Sequence, residues 1–278
     1  IDEADIAAVV AVLRSDFLTQ GPAVPRFEAA LARRVGAPHA VAVNSATSAL
    51  HVACLALGLG PGDQLWTSPI TFVATANCAR LCGADVDFVD VDPATALMCP
   101  DRLARKLADA ERAGRLPKIV APVHLGGQSC DMAAIGALAE RYGFRVLEDA
   151  SHAVGATEAG APVGACPHSD VAVFSFHPVK IVTTAEGGVA TTRDPDLAER
   201  MARLRSHGVT RDPALMTHAP DGPWYYQQLE LGLNYRMTEL QAALGASQLD
   251  RLDAFVARRN TLAERYDAAA ELEGETYW

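Results

Sequence analysis

The 278-residue sequence is poor in aromatic side chains, which make up 6% of it, and it has no long apolar run. Half of the residues are hydrophobic, but no stretch approaches the roughly 18 consecutive apolar residues of a membrane helix. The first residues, Ile1-Asp2-Glu3-Ala4-Asp5, lack the basic start and apolar centre of a secretory signal. We therefore expect a cytoplasmic protein that does not span a membrane.

The sequence also has fewer basic than acidic residues. The sequence has 24 Lys and Arg against 34 Asp and Glu, which gives a formal net charge of −10. A nucleic-acid-binding protein normally carries a basic stripe, so this class is not favoured. Neither a Walker motif nor a G-x-G-x-x-G motif is present, so nothing indicates a nucleoside triphosphate or dinucleotide site. A negatively charged substrate would have to be bound by local positive groups.

The cysteines form no C-x-x-C pair and no other metal-binding spacing. Cys78 and Cys82 share one face of a predicted helix, but no complementary His or Cys pair accompanies them. We expect no metal site and, in a reducing compartment, free and mostly buried thiols. The six positions are Cys54, Cys78, Cys82, Cys99, Cys130 and Cys166.

Strand-like and helix-like patterns alternate along most of the chain. Strands are predicted at 64–68, 86–91, 118–124, 170–176 and 187–192, and helices at 72–81, 101–113, 132–142 and 196–206. This alternation predicts an α/β fold with a mostly parallel sheet and helices on both faces. Segment 207–233 is rich in Gly, Pro and aromatic residues and is predicted to be a functional loop. One long helix is predicted from Thr238 to about Leu272.

A lysine follows one of the most apolar predicted strands. Lys180 lies in a loop of Pro, Thr and Gly just after the strand at 170–176. Burial at such a position lowers a lysine pKa, so that the neutral amine can form a Schiff base. An ordinary loop lysine is the alternative, and Lys180 alone does not exclude it.

An acidic pair ends another short strand. Glu148 and Asp149 follow the apolar residues Val146 and Leu147, and His152 comes three residues later. Because ligands of open α/β sheets bind at the carboxyl ends of the strands, Asp149 is placed to meet one. Such a carboxylate could hold a pyridine nitrogen protonated. A helix N-cap or a metal or sugar ligand is the alternative for Asp149, and Glu148 is expected behind it or facing solvent.

A third pattern is typical of an anion site. A strand at 41–43 leads through the turn 44–48 into a helix predicted at 49–57. Small hydroxyl residues at a helix start leave backbone N–H groups free, and the helix dipole favours an anion there. Thr47 and Ser48 could add side-chain hydrogen bonds, whereas Ser45 as a plain N-cap is the alternative.

Together these residues resemble the DegT/DnrJ/EryC1/StrS group of sugar aminotransferases. The resemblance rests on the turn 44–47, the segment 70–75 with its aromatic Phe72, Glu148-Asp149 with His152, and Ser175 five residues before Lys180. Within the group, segment 16–22, segment 177–180 and Trp224-Tyr225-Tyr226 most resemble the pseudaminic-acid branch. The resemblance implies a pyridoxal-phosphate enzyme with the aspartate-aminotransferase fold (fold type I).

The resemblance also implies a role for each site residue. Lys180 would carry the cofactor and shuttle the proton, Asp149 would pair with the pyridine nitrogen, and His152 would lie near the ring and its 3-hydroxyl. Phe72 would stack on the ring. The phosphate would be held by the N–H of Ala46, where many members carry Gly, and by Thr47, Ser48, Ser175 and, from the neighbouring subunit, Asn234. Retention of Lys180 favours transamination over the dehydration that related members with histidine carry out.

Two domains and a homodimer with shared sites are implied as well. Residues 1–237 would form the large cofactor-binding domain, and 238–278 the bridging helix and the start of a small C-terminal α+β domain. Members of the group continue beyond this point and begin earlier, so the chain is expected to be part of a longer enzyme.

The implied reaction moves an amino group from glutamate to the C4 ketone of a UDP-linked 4-keto-6-deoxy-N-acetylhexosamine. A UDP-4-keto-pentose aminotransferase of lipid A modification is an alternative within the family. A related decarboxylase, racemase or desulfurase, and a catalytically silent nucleotide-sugar-binding paralogue, are alternatives of other classes.

Overall fold

The computed structural model describes residues 1–273. Its helices are α1 Glu3–Leu13, α2 Ala23–Val35, α3 Ala46–Ala56, α4 Ala74–Leu81, α5 Pro100–Arg112, α6 Met132–Tyr142, α7 Pro195–Leu204, α8 Glu239–Leu249 and α9 Leu252–Glu273. Its strands are β1 His39–Val43, β2 Gln64–Thr67, β3 Asp85–Phe88, β4 Ile119–Ala121, β5 Arg145–Asp149, β6 Thr157–Glu158, β7 Ala161–Pro162, β8 Val171–Ser175, β9 Gly188–Thr192, β10 Val209–Thr210 and β11 Gln227–Gln228. Two short 3₁₀ turns cover Leu125–Gly127 and Pro213–Leu215.

Seven strands form the central sheet in the order β1-β9-β8-β5-β4-β2-β3. β9 pairs antiparallel with both β1 and β8, and every other pairing in the sheet is parallel. Six strands therefore run in one direction and β9 runs against them. The predicted α/β architecture with a mostly parallel sheet is confirmed.

Successive residues of the central strands face opposite sides of the sheet, and both sides are covered by helices. Val171 and Val173 pack with the helices α3, α4 and α7, whereas Phe174 packs with α2 and α8 on the other side. Val120 and Val146 join that second side, where α5 and α6 lie. Both faces are thus apolar, which is the reason these strands read as continuous hydrophobic runs.

Several predicted boundaries differ from the observed ones by one to three residues; for example, the strand predicted at 118–124 ends at Ala121, and the helix predicted at 49–57 begins at Ala46. The strand predicted at 86–91 ends at Phe88, where Asp87 and then Asp90 accept hydrogen bonds from the N–H of the following residue. The helix predicted from Phe72 begins at Ala74, so Phe72 and Val73 stand in the turn before it. This turn carries part of the candidate site.

The prediction of one long helix from Thr238 is wrong, because the segment forms two helices. α8 ends at Leu249, and the N–H of Arg251 bonds to the carbonyl of Gln248, three residues back, instead of continuing the α-helical pattern. α9 then starts at Leu252. The last five residues of the predicted C-terminal region, 274–278, lie outside the described part of the chain.

A buried carboxylate ties α1 to the junction of α8 and α9. Asp5 is fully buried and accepts hydrogen bonds from Ser247 (2.7 Å), Gln248 (2.6 Å) and Arg251 (2.7 Å to each oxygen). Burial by itself would raise the pKa of Asp5, but the bonds from Ser247 and Arg251, with those from Asp2 and Gln248, lower it from 3.8 to about 2.

The segment between α7 and α8 is not structureless, since β10 and β11 pair within it. The most exposed of its large apolar side chains are Trp224 at 69%, Tyr226 at 55% and Leu231 at 87%. Within residues 1–273, no helix combines the length and the hydropathy needed to cross a bilayer.

Candidate active site

A cavity of about 450 Å³ opens beside the carboxyl ends of β5 and β8 and the first turn of α3. This is the edge at which open α/β sheets bind their ligands. Most of the predicted site residues meet in this one cavity. Its walls are formed by Ser45, Ala46, Thr47, Leu50, Thr71, Phe72, Ala74, Val123, Asp149, Ser151, His152, Ser175, His177, Val179, Lys180 and Glu186.

The first turn of α3 faces the cavity with backbone donors. Ser45 is the N-cap, and its hydroxyl accepts the N–H of Ser48 at 3.1 Å. Among the described residues, none accepts a hydrogen bond from the N–H of Ala46 or Thr47. A helix N-terminus with two free N–H groups is suited to a phosphate. The N-cap and the anion site, which the sequence left as alternatives, are compatible.

Ser48 does not line this cavity. Its hydroxyl is buried and lies 2.6 Å from Asn44 Oδ1 and 2.9 Å from Ser45 Oγ. It therefore supports the turn, while Thr47 presents its side chain at the cavity wall. Ser175, at the end of β8, adds a second hydroxyl to the same wall and is 7% exposed.

Asp149 ends β5 with its carboxylate buried, at 4% exposure. Thr75 Oγ1 donates to Oδ2 at 2.6 Å, and the N–H of Ser151 donates to Oδ1 at 3.2 Å. The carboxylate is therefore held at both oxygens while its residue remains part of the cavity wall. It can face a cationic or proton-bearing group of a ligand.

Lys180 lies across the cavity in the turn that follows β8. Its N–H donates to the carbonyl of His177 at 2.9 Å, which closes the turn and directs the residue to the cavity. Burial lowers the pKa of Lys180 below its usual 10.5, and the negative charge of Asp149 opposes part of this change. A larger fraction of its amine is therefore neutral near pH 7, which favours attack on a carbonyl carbon.

The tautomer of His152 follows from one backbone contact. The N–H of Gly126 donates to His152 Nδ1 at 3.2 Å, so in the neutral ring Nε2 carries the proton. Burial lowers the pKa of His152, the positive charge of Lys180 lowers it further, and Asp149 partly opposes both. Near neutral pH the ring is thus an uncharged donor at Nε2.

Phe72 stands at the cavity wall with 72% of its side chain exposed. An exposed ring at the wall of a pocket leaves a face available to a flat ligand, and aromatic rings stack favourably on one another. Phe72 and Thr75 are three residues apart at the start of α4, so one turn carries both the ring and the donor to Asp149.

Glu148 is buried, so the solvent-facing alternative is excluded. It points to the side of β5 opposite to Asp149, as expected for neighbours in a strand. His124 Nε2 lies 2.8 Å from Glu148 Oε2, and Ser169 donates to the other carboxylate oxygen. The second nitrogen of His124 accepts the N–H of Cys130. This network supports the strand end behind the cavity.

Asn234, like Ser48, is a predicted site residue that does not line the cavity. It is exposed, forms a backbone bridge with Ser206, and is not part of the cavity wall of its own chain. The predicted role of Asn234 in a neighbouring subunit's site stays a prediction.

Sequence reasoning missed several residues of the site. Thr71 and Thr75 lie in the segment that carries Phe72, and a spacing of four residues at the start of a helix brings their two hydroxyls together. Gly126 and Gly127, which approach His152 closely, were also missed. A Cβ on Gly127 would lie 2.9 Å from the carbonyl oxygen of His152, so the Gly-Gly pair was a usable signal.

The residues present fit pyridoxal phosphate. The free N–H groups of the α3 N-terminus suit its phosphate, the buried Asp149 carboxylate suits its ring nitrogen, and the half-buried Lys180 amine suits its aldehyde. All of these groups border one cavity. No cluster of His, Cys, Asp and Glu within residues 1–273 could hold a metal ion. All six cysteines are free thiols, and Cys99 is the one that is not fully buried.

Comparison with known proteins identifies relatives that match almost the whole chain. The chain is 43% identical over 269 residues to the spore coat polysaccharide biosynthesis protein SpsC of Bacillus subtilis, covering 97% of the chain and 67% of that protein. It is 41% identical over 269 residues to a UDP-4-amino-4-deoxy-L-arabinose–oxoglutarate aminotransferase of Shewanella sediminis, covering 96% and 66%. The chain thus spans about two thirds of the length of these relatives.

A solved structure agrees in fold over nearly the whole chain. Helicobacter pylori PseC, an aminotransferase involved in the biosynthesis of pseudoaminic acid, matches with a TM-score of 0.88 and 32% identity, covering 97% of this chain and 68% of that one. Solved relatives also include pyridoxal-phosphate and pyridoxamine-phosphate forms of the protein Spr1654 of Streptococcus pneumoniae.

The family profile decides the assignment that the sequence motifs predicted. It matches residues 1–277 of the chain. The solved relatives have the same fold, and one of them is a form with pyridoxal phosphate, the cofactor that suits the cavity described above. The chain therefore belongs to the DegT/DnrJ/EryC1/StrS aminotransferase family, which depends on pyridoxal phosphate.

Proposed function

We propose that this protein is a nucleotide-sugar aminotransferase that acts on a UDP-linked 4-keto-6-deoxy-N-acetylhexosamine with glutamate as donor. The observation that carries the proposal is the meeting of Lys180, Asp149 and the α3 N-terminus in one cavity. The products would be 2-oxoglutarate and the 4-amino sugar of the pseudaminic-acid type.

The phosphate of the cofactor would be bound by the N–H groups of Ala46 and Thr47 and by the hydroxyls of Thr47 and Ser175. The dipole of α3 favours that negative charge. Phe72 would contact one face of the ring, and the Nε2 proton of His152 would be available to the ring hydroxyl. These contacts orient the ring without taking part in proton transfer.

Bound pyridoxal phosphate supplies an electron sink for the pair of electrons released when a bond to the amine-bearing carbon breaks. Asp149 would hold the proton on the ring nitrogen through its negative charge. Because its oxygens are already fixed by Thr75 and Ser151, this interaction needs no rearrangement during the reaction. Lys180 would hold the cofactor covalently at rest and, once displaced by an amine, move the proton to and from the reacting carbon.

The sugar specificity is supported by likeness to the pseudoaminic-acid aminotransferase PseC and by segments 16–22, 177–180 and 224–226 of the sequence. A second candidate is transfer to a UDP-4-keto-pentose. It is favoured by the 41% identity to the Shewanella sediminis UDP-4-amino-4-deoxy-L-arabinose aminotransferase.

Incubation of the enzyme with glutamate and a panel of UDP-4-keto sugars separates the two candidates. We expect a UDP-4-amino-6-deoxy-N-acetylhexosamine, identified by mass and NMR, and no product from a Lys180→Ala variant. Preferred amination of the pentose would establish the second candidate. Absence of any amino sugar, from an enzyme that binds its cofactor, would contradict both and favour a silent paralogue.

A further inference from the structure

The carboxylate of Asp149 needs donors because it is almost fully buried. Two hydrogen bonds reach its oxygens from the described residues, the hydroxyl of Thr75 at 2.6 Å and the N–H of Ser151 at 3.2 Å. Since the backbone donor is common to any residue at position 151, Thr75 makes the side-chain contribution. Thr75 is itself fully buried.

The single proton of the Thr75 hydroxyl has three possible acceptors. They are Asp149 Oδ2 at 2.6 Å, Thr71 Oγ1 at 2.8 Å and the carbonyl of Phe72 at 3.1 Å. The carboxylate is the shortest contact and the charged one, so it takes the proton. Thr71 must then donate its own proton to Thr75, because two oxygens 2.8 Å apart share one.

The resulting relay runs from Thr71 to Thr75 to Asp149, with both protons pointing toward the carboxylate. Hydrogen bonds aligned in this way polarise one another and strengthen the last bond. Thr71 lies at the cavity wall, whereas Thr75 lies behind it. The two bonds on opposite oxygens also prevent rotation of the carboxylate about its Cβ–Cγ bond.

We propose that Thr75, supported by Thr71, is a positioning residue that fixes the orientation of the Asp149 carboxylate for its interaction with the cofactor ring. This inference rests on the proposed function. Because Thr75 follows Phe72 by three residues, the turn that leads into α4 would fix both a face contact and the nitrogen contact of the ring. A loss of the Thr75 hydroxyl would leave the Asp149 carboxylate held at one oxygen only, by the N–H of Ser151, and therefore less restrained in its rotation.

The test compares Thr75→Val, which keeps the shape and removes the hydroxyl, with Thr75→Ser, which keeps the hydroxyl. Thr67→Val is the matched control, because Thr67 is equally buried and its hydroxyl bonds to the carbonyl of Ala121, away from the cavity. Each variant is reduced with borohydride and mapped for label on Lys180. Its bound-cofactor absorption is then followed against pH, and kcat and KM are measured.

We expect label on Lys180 in all variants, together with a drop in kcat of about 10- to 100-fold for Thr75→Val and a changed pH dependence of its cofactor absorption. Thr75→Ser should retain most of the parent's kcat and of the pH dependence of its cofactor absorption, and Thr67→Val should change neither of these two quantities. A Thr75→Val enzyme with the kcat and absorption of the parent would overturn the inference while leaving the proposed function intact. If the parent itself carries no cofactor on Lys180, both are overturned.

If Thr75→Val fails to fold, the variant Thr71→Val tests the relay in its place. It removes the outer donor from a half-buried position, and we expect a smaller change of kcat and of the absorption profile in the same direction. A Thr71→Val enzyme identical to the parent in both measurements would contradict the relay.

Discussion

Gly188 packs directly against the backbone of Ala46. A Cβ on Gly188 would lie 2.5 Å from Ala46 N and 2.5 Å from the carbonyl carbon of Ser45. The first residue of β9 therefore lies under the turn whose N–H groups face the cavity. Any side chain at position 188 must displace this turn, because backbone atoms cannot yield as the end of a flexible side chain can.

Gly188→Ala should therefore weaken cofactor binding, by about tenfold or more, since a shift of the α3 turn misplaces several N–H donors together. Cofactor titration followed by absorbance measures the change. Gly60→Ala is the control, because no described atom lies within 4 Å of a Cβ at that position. Unchanged affinity in Gly188→Ala would mean that the turn does not hold the phosphate.

Asp149→Asn should retain bound cofactor and lose transamination by about 100-fold or more. The amide preserves shape but cannot hold a proton on the ring nitrogen through charge. Initial rates at saturating glutamate, together with the cofactor content, measure both effects. Asp194→Asn is a matched control, because asparagine can replace aspartate as the N-cap of α7. Near-normal turnover of Asp149→Asn would show that Asp149 is not the ring partner.

The predicted role of Asn234 in the neighbouring subunit can be tested by complementation. Lys180→Ala and Asn234→Asp chains should each be inactive, the second because a carboxylate would repel the phosphate. If the sites are shared, a mixed dimer has one site with both changes and one with neither, so part of the activity should return. A mixture that exchanges subunits yet stays inactive would contradict shared sites.

Asp5 should contribute a pH-dependent part of the stability. Its folded-state pKa of about 2 is below its usual 3.8, so the contribution is complete above pH 3.8 and is lost as the pH falls toward 2. Asp5→Asn should lower the free energy of unfolding near pH 7 by about 1–3 kcal/mol, because Arg251 loses a charged partner. Urea unfolding at several pH values measures this.

The exposed Asp250 provides the control as Asp250→Asn. The loss of stability in Asp5→Asn should shrink at acid pH, where the parent has lost the same contribution. A variant that differs from the parent by the same amount at every pH would contradict the role of the Asp5 carboxylate.

The sequence predicted the sheet because both sides of its central strands are buried, which leaves continuous apolar runs such as 171–174. It did not predict the break between α8 and α9. Leu249, Leu252 and Val256 keep a helical spacing across the break, whereas Arg251, which stands at the break, contacts Asp5, 246 residues away in sequence. Local periodicity contains no information about such a partner.

In the site, too, residues with a local sequence signal could be predicted, whereas residues whose role depends on a distant partner could not. Lys180, Asp149 and the turn at 44–48 could be found because each follows a recognisable strand or precedes a helix. Ser48 looked equivalent to Thr47, and the direction of its side chain is decided by Asn44, four residues earlier. Thr75 could not be assigned a role from sequence, because its partner Asp149 is 74 residues away.

The most direct test of the account is the site of covalent attachment of the cofactor. The enzyme is reconstituted with pyridoxal phosphate, reduced with borohydride, digested and mapped by mass spectrometry. The account predicts a pyridoxyl group on Lys180, and loss of that label in Lys180→Ala. Label on any other lysine, or an enzyme that stays colourless after reconstitution, would contradict it.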